Sequence, residues 1–165
     1  MIHTERLTLR PVRDDDLDAL FAIYTDPRVM RYIGTPHRDR DRTARMIAGI
    51  RASHAVTGLE YVVERDGRLI GKAGLWKFAE IGYAFAPDHW GQGIGREAVG
   101  AVVNAAFGRH PELHALDAEI DPRNLASAAL LSGLGFREVE RIAAAVEIDG
   151  ESCDSAFWRL DRPVR

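Results

Sequence analysis

The stretch Pro87-Asp88-His89-Trp90-Gly91-Gln92-Gly93-Ile94-Gly95-Arg96-Glu97-Ala98 constrains the fold of this chain more than any other, because its three glycines at alternate positions separate a strand pattern from a helix pattern. With no side chains along one edge of such a turn, successive backbone N–H groups can converge on a bound anion. The helix behind it adds unpaired first-turn N–H groups and the positive end of its dipole. That helix is marked by Val99, Val102, Val103, Ala106 and Phe107 at helical spacing and should end near Gly108. Upstream, Glu80-Ile81-Gly82-Tyr83-Ala84-Phe85-Ala86 has the alternation and aromatic content of a strand, closed by Pro87. A glycine-rich turn can also be one that merely needs positive φ values, so the reading of this unit as a phosphate cradle depends on the rest of the chain.

The remaining elements follow from period and punctuation. Thr4 to Pro11 alternates Leu7 and Leu9 with polar residues and reads as a half-buried strand. Asp14, Asp15 and Asp16 are expected to cap a helix carrying Leu17, Leu20, Phe21 and Tyr24, stopped by Asp26-Pro27. Val29 to Gly34 has no settled conformation and is a candidate pocket lining. A second helix is expected over Asp39 to about His54, its alternating charges at Arg38 to Arg42 forming a solvated entry. The period then falls to two: Glu60–Glu64 and Leu69–Trp76 read as a hairpin turned at Asp66-Gly67, and Lys77 to Ala79 as a tight link lacking the usual turn residues. Leu113 to Ile120 reads as a strand, Asn124 as the cap of a fourth helix ended by Gly133 and Gly135, and Phe136 to Leu160 as a closing hairpin turned at Asp149-Gly150. This order implies a single α/β domain, 1–165, built on a mixed, mostly antiparallel sheet of about seven strands flanked by about four helices.

Composition excludes several classes. A net charge of −3 with arginines scattered among aspartates gives no basic field, so no nucleic-acid partner is expected. No apolar run reaches membrane-spanning length, and the N-terminus opens into a strand pattern rather than a secretory signal, which makes a cytoplasmic location the expectation. The single cysteine, Cys153, cannot form an internal bridge, and the six histidines have no metal-ligand spacing.

Four pieces together resemble the GNAT superfamily of acyl-CoA-dependent N-acyltransferases. These are Thr4-Glu5-Arg6-Leu7-Thr8-Leu9-Arg10, Glu80-Ile81-Gly82-Tyr83, the cradle Trp90 to Gly95, and Asn124-Leu125-Ala126-Ser127 followed by Gly133-Leu134-Gly135-Phe136. Within that superfamily the chain is most similar to the branch containing the ribosomal-protein N-terminal acetyltransferases. Relatives usually begin the glycine loop with Gln or Arg where this chain has Trp90.

The resemblance implies acetyl-CoA as cosubstrate, no metal, and a primary amine as acceptor, either a small molecule or a protein N-terminus. Gln92, Gly93, Ile94, Gly95 and Arg96 would hold the pyrophosphate. The sheet would splay beside the central strand, with the pantetheine arm paired against backbone around Tyr83, Ala84, Phe85 and Ala86 like an added strand. The amine must lose a proton before attack, and Glu80 is the candidate base; its alternative is a structural carboxylate in an ion pair or at the sheet edge. A backbone N–H near Ala84 or Phe85 would stabilise the carbonyl oxygen. The tyrosine that many relatives use toward the leaving thiolate falls on Leu131 here, so Ser127 takes that place, with a hydroxyl bonded to its own helix as the alternative. Asn124 caps the helix and is a candidate pantetheine ligand.

Two other readings have their own support. Gly93 to Ala98 formally fits a dinucleotide-binding G-x-G-x-x-A, although Pro87 to Trp90 separate it from its strand. A coenzyme A-binding sensor without catalysis would share the fold. The acceptor pocket is expected from the first two helices, the Val29 to Pro36 loop and the acidic closing hairpin with Glu147, Asp149, Glu151 and Asp154. Monomer and homodimer both remain open.

Overall fold

The computed structural model describes residues 1–163; the last two residues of the expected 1–165 domain lie outside the described residues. One eight-stranded sheet runs through the molecule in the order β1-β2-β3-β4-β5-β6-β8-β7. The strands are β1 (Ile2–His3), β2 (Thr8–Arg10), β3 (Glu60–Arg65), β4 (Arg68–Lys77), β5 (Glu80–Phe85), β6 (Ala115–Ile120), β7 (Arg137–Ile148) and β8 (Glu151–Asp161). Every pairing is antiparallel except that of β5 with β6. The helices are α1 (Leu17–Thr25), α2 (Pro27–Met30), α3 (Arg40–Thr57), α4 (Ile94–Arg109) and α5 (Leu125–Gly133).

The sheet is covered on both faces. On one, α4 lays Val99, Val102, Val103 and Ala106 against Tyr61, Val63, Leu75 and Ile81. On the other, Leu20, Ile23 and Tyr24 of α1 and Ile47 and Ile50 of α3 pack on Val62 and Ala84. Strand alternation sends Val62 and Val63 to opposite layers, which is why this strand reads as continuously apolar.

The punctuation works as its chemistry dictates. Asp66 (φ 51°) and Gly67 (φ 72°) turn the β3–β4 hairpin, and Asp149 (φ 51°) and Gly150 (φ 80°) turn β7 into β8. Asp39 caps α3 by accepting the Arg42 N–H at 2.8 Å, and Gly58, in the left-handed region, ends it. The link between β4 and β5 dispenses with glycine by placing Ala79 at φ 70°.

Three expectations change. The eighth strand is the two-residue β1, which pairs Ile2 with Leu9. The segment after Asp26 begins as a short helix, capped by the Asp26 carboxylate on the Arg28 N–H. Asp14 to Asp16 form a 3-10 turn, and none of them caps α1 with its side chain. Asp16 instead accepts both guanidinium arms of buried Arg10, at 2.8 and 2.7 Å, while Glu64 of β3 accepts from Arg10 Nε at 2.8 Å, so the charge that β2 carries beneath α1 is neutralised by two carboxylates.

Candidate active site

The site grows from the one parallel seam in the sheet. Glu80 pairs with Asp117, with the Asp117 N–H donating to Ala79 O at 2.8 Å, and beyond that pair β5 and β6 separate. On the other side of β5, Ala86 N–H donates to Ile70 O at 2.8 Å within a continuous register with β4. Antiparallel alternation then directs the N–H and C=O of Ala84 and the N–H of Ala86 toward β4, the Ala86 C=O accepting instead from the His89 N–H at 3.0 Å, and turns the peptide groups of Tyr83 and Phe85 to the side of the gap. Of the expected backbone set, Tyr83 and Phe85 turn their peptide groups toward the gap, whereas Ala84 and the Ala86 N–H face β4. Of the two residues expected near the carbonyl oxygen, Ala84 and Phe85, it is Phe85 whose N–H is turned away from β4.

The cradle closes the end of this gap. Gly91 (φ 71°) and Gly93 (φ 76°) are left-handed, and Gly93 leads directly into α4. The N–H groups of Ile94, Gly95 and Arg96 belong to the first turn, which has no preceding turn to accept them. Glu97 N–H is the first to bond back, to Gly93 O at 3.0 Å. Gly95 serves packing as well: a Cβ there would lie 2.8 Å from Leu130 of α5 and 3.5 Å from Phe85, so its absence lets α4, α5 and β5 meet.

The loop is held by residues the cradle motif does not contain. Arg6 bonds Glu97 at 2.7 Å and Gln92 O at 3.0 Å, and Thr4 donates to Glu97 at 2.6 Å. Burial disfavours the Glu97 carboxylate, but these donors outweigh it and hold its pKa below the usual range. The Gln92 side chain is spent on the loop itself, donating to Asp88 O at 2.7 Å and accepting from Arg65 at 2.8 Å, and its C=O is taken by Arg6. Trp90 donates its indole N–H to Phe85 O at 2.8 Å and so secures the corner. The signal for the clamp was present as the Thr4-Glu5-Arg6 motif, but not its partner on α4. Arg96 donates to Gly133 O at 2.7 Å and is otherwise exposed beside the loop.

The gap opens on a cleft of about 840 Å³ whose lining includes Glu80, Tyr83, Asn124 and Ser127. Glu80 accepts from Trp76 Nε1 at 3.1 Å and lies 3.4 Å from Lys77 Nζ. Asn124 caps α5 by accepting the Ser127 N–H at 3.1 Å. Tyr83 Oη is buried without a hydrogen-bond partner, and burial pushes its phenol up to about 12, with the Ser127 hydroxyl acting in the opposite direction. Leu131 is fully buried. Gln92 to Arg96 sit at the far, cradle end, so β5 spans the distance between phosphate-type donors and the carboxylate.

The cleft also contains a charged pair that the strand pattern had left unremarked. Lys72 donates to Glu60 Oε1, while Glu60 Oε2 is buried without a partner. Burial pushes the Glu60 carboxyl up, and Lys72 opposes that shift. Gly74 makes room, since a Cβ there would lie 2.3 Å from Glu60 Oε2. The signal was a Glu and a Lys at inward positions of adjacent strands. Of the acidic hairpin, Glu147 and Asp154 line the cleft; Asp149 accepts from Thr35 at 2.6 Å and Glu151 pairs with Arg123 at 2.5 Å. Among the described residues no group of His, Cys, Asp or Glu is arranged to hold a metal, and no helix is long and apolar enough to cross a membrane.

A family model described as an acetyltransferase (GNAT) domain matches residues 6–137. The chain is 31% identical to the uncharacterized N-acetyltransferase p20 of Bacillus licheniformis, over 83% of this chain and 82% of that one. Its fold matches RimJ of Mycobacterium smegmatis with a TM-score of 0.77 at 26% identity, covering 94% of this chain and 81% of that one. It also matches a GNAT-family acetyltransferase from Bacillus anthracis with a TM-score of 0.83 at 23% identity, covering 97% of each chain. The match spans β2, the cradle, α5 and the strands between them, and the chain belongs to the GNAT family of acetyl-CoA-dependent N-acetyltransferases.

Proposed function

We propose that this protein transfers the acetyl group of acetyl-CoA to a cationic primary amine by direct attack within the cleft. The observation that carries the reading is the alignment of three features along one strand: the N–H cradle of α4, the open edge of β5 at the Tyr83 peptide and the Phe85 N–H, and Glu80 on the cleft. The residues fit the cosubstrate, because a pyrophosphate needs converging N–H donors and an amide-bearing arm needs an open strand edge. Gln92 to Arg96 hold the phosphates, Tyr83 and Phe85 pair with the arm, and Asn124 and Ser127 border its thioester end. Supporting this, the similar RimJ was solved in complex with CoA-disulfide.

Glu80 takes the proton of the incoming ammonium, directly or through a water. An α-amine, of pKa about 7.7 to 8.0, needs less help than a lysine-type amine near about 10.4. The preference for a cation rests on Glu80, Glu147 and Asp154 around the cleft. A protein N-terminus, as in the ribosomal-protein acetyltransferases, and a small diamine both satisfy that charge. Calorimetric titration with acetyl-CoA, with NAD and NADP in parallel, followed by an amine screen for thiol release, tests the proposal. Saturable acetyl-CoA binding with thiol release on a cationic amine is expected; dinucleotide binding without acetyl-CoA binding would overturn it.

A further inference from the structure

We infer that Tyr83 is the hydrogen-bond donor to the departing CoA sulfur and that Ser127 is the positioning residue for its phenol, an assignment that rests on the acetyl-transfer reading above. The observation behind it is an orphan. A buried phenol ordinarily finds a partner, yet Tyr83 Oη makes no well-formed hydrogen bond, the Ser127 hydroxyl standing near enough to lower its pKa without closing one, and its side chain borders the same cleft as Glu80, Asn124 and Ser127. Its ring is held by the core, with Phe85 at 6.4 Å between centroids, so the hydroxyl is fixed in direction rather than free to seek water. Ser127 stands in the first turn of α5 with its N–H already committed to Asn124, and its hydroxyl acts on the Tyr83 phenol.

Acidity decides what such a phenol does. At about 12, raised by burial, it is a weaker acid than a thiol of about 8.5, so it keeps its proton and donates a hydrogen bond. As the amine nitrogen forms its bond to the acetyl carbon, the carbon–sulfur bond breaks with its electron pair passing to sulfur. The Tyr83 O–H stabilises that charge, the second proton, shed by the acylated nitrogen, passes through solvent to the thiolate to give the free thiol, and Glu80 returns to solvent the proton it took from the ammonium. The N-terminus of α5 adds its dipole on the same side.

Binding of CoA and desulfo-CoA, followed calorimetrically from about pH 6.5 to 9.5, reads this donor without turnover, since only CoA titrates near about 8.5. In the unaltered protein CoA should gain on desulfo-CoA as pH rises, and the bound thiol pKa should fall by about 1 to 2 units. Tyr83→Phe, which keeps the ring, should remove about 10-fold or more of that gain and leave desulfo-CoA affinity unchanged. Ser127→Ala, outside the core, should remove part of it. Normal CoA binding with an unshifted thiol, or Tyr83→Phe indistinguishable from the parent, would overturn the Tyr83 assignment alone. Failure of the parent to bind either ligand would instead overturn the acetyl-transfer reading and this assignment with it.

Discussion

Glu80 and Asp117 form the single register pair joining β5 to β6 among the described residues, whereas the neighbouring β6–β8 seam pairs six residues from each strand. The carboxylate assigned to the amine therefore stands at the fork of the sheet, where the strand edge changes from bonded to free.

That fork makes an amide-by-amide prediction. In hydrogen exchange, the N–H groups of Tyr83 and Phe85 should exchange faster than those of Ala84 and Ala86, which β4 protects, and acetyl-CoA should slow the first pair specifically. Equal protection of all four with and without ligand would rule out the added-strand pairing.

Gly93 and Gly95 should fail differently. Gly93→Ala, at φ 76°, forces a side chain into the left-handed region and should weaken acetyl-CoA binding through the loop, at a cost of about 1 to 2 kcal/mol. Gly95→Leu should lower the melting temperature, because its Cβ meets Leu130 and Phe85. Thermal unfolding beside ligand titration separates the two; a Gly95→Leu protein of unchanged stability would refute the packing role.

Glu80→Gln should lower kcat by about 100-fold with acetyl-CoA affinity unchanged, as expected for loss of a general base. Raising the pH should recover part of the rate, because the amine then arrives unprotonated. Steady-state kinetics from pH 7 upward checks this, and a full-rate variant would leave Glu80 as the structural partner of Trp76 and Lys77.

Asp16 should dominate acid sensitivity beneath α1. Burial disfavours its ionisation, but Arg10 and the Arg13 N–H outweigh that and hold its pKa below the usual carboxylate range. A depressed folded-state pKa supplies stability that is present above the unfolded value and lost as pH falls through the folded one. Asp16→Asn, which leaves Glu64 to neutralise Arg10, should therefore cost about 2 kcal/mol at neutral pH, with the gap to the parent narrowing below about pH 4. Urea unfolding at both pH values would show it; a constant gap would contradict the pairing.

Local physics in the sequence determined most of the frame. The turns at Asp66-Gly67 and Asp149-Gly150, the cap at Asn124, and the glycine turn preceding α4 each depend on neighbours a few residues apart, so periodicity and turn chemistry suffice to read them. The roles of Asp14 to Asp16 were not legible, because capping is a local contest that Arg10 decides from another strand. Nor was the choice between Tyr83 and Phe85 on one side and Ala84 and Ala86 on the other, since hydrogen-bond direction depends on the register β5 adopts against β4. The Arg6–Glu97 clamp joins residues from β2's approach and α4, and the orphaned Tyr83 hydroxyl exists only because α5 is laid over β5. Charge neutralisation and burial operate through space, so the tertiary structure alone decided which polar groups were left to do chemistry.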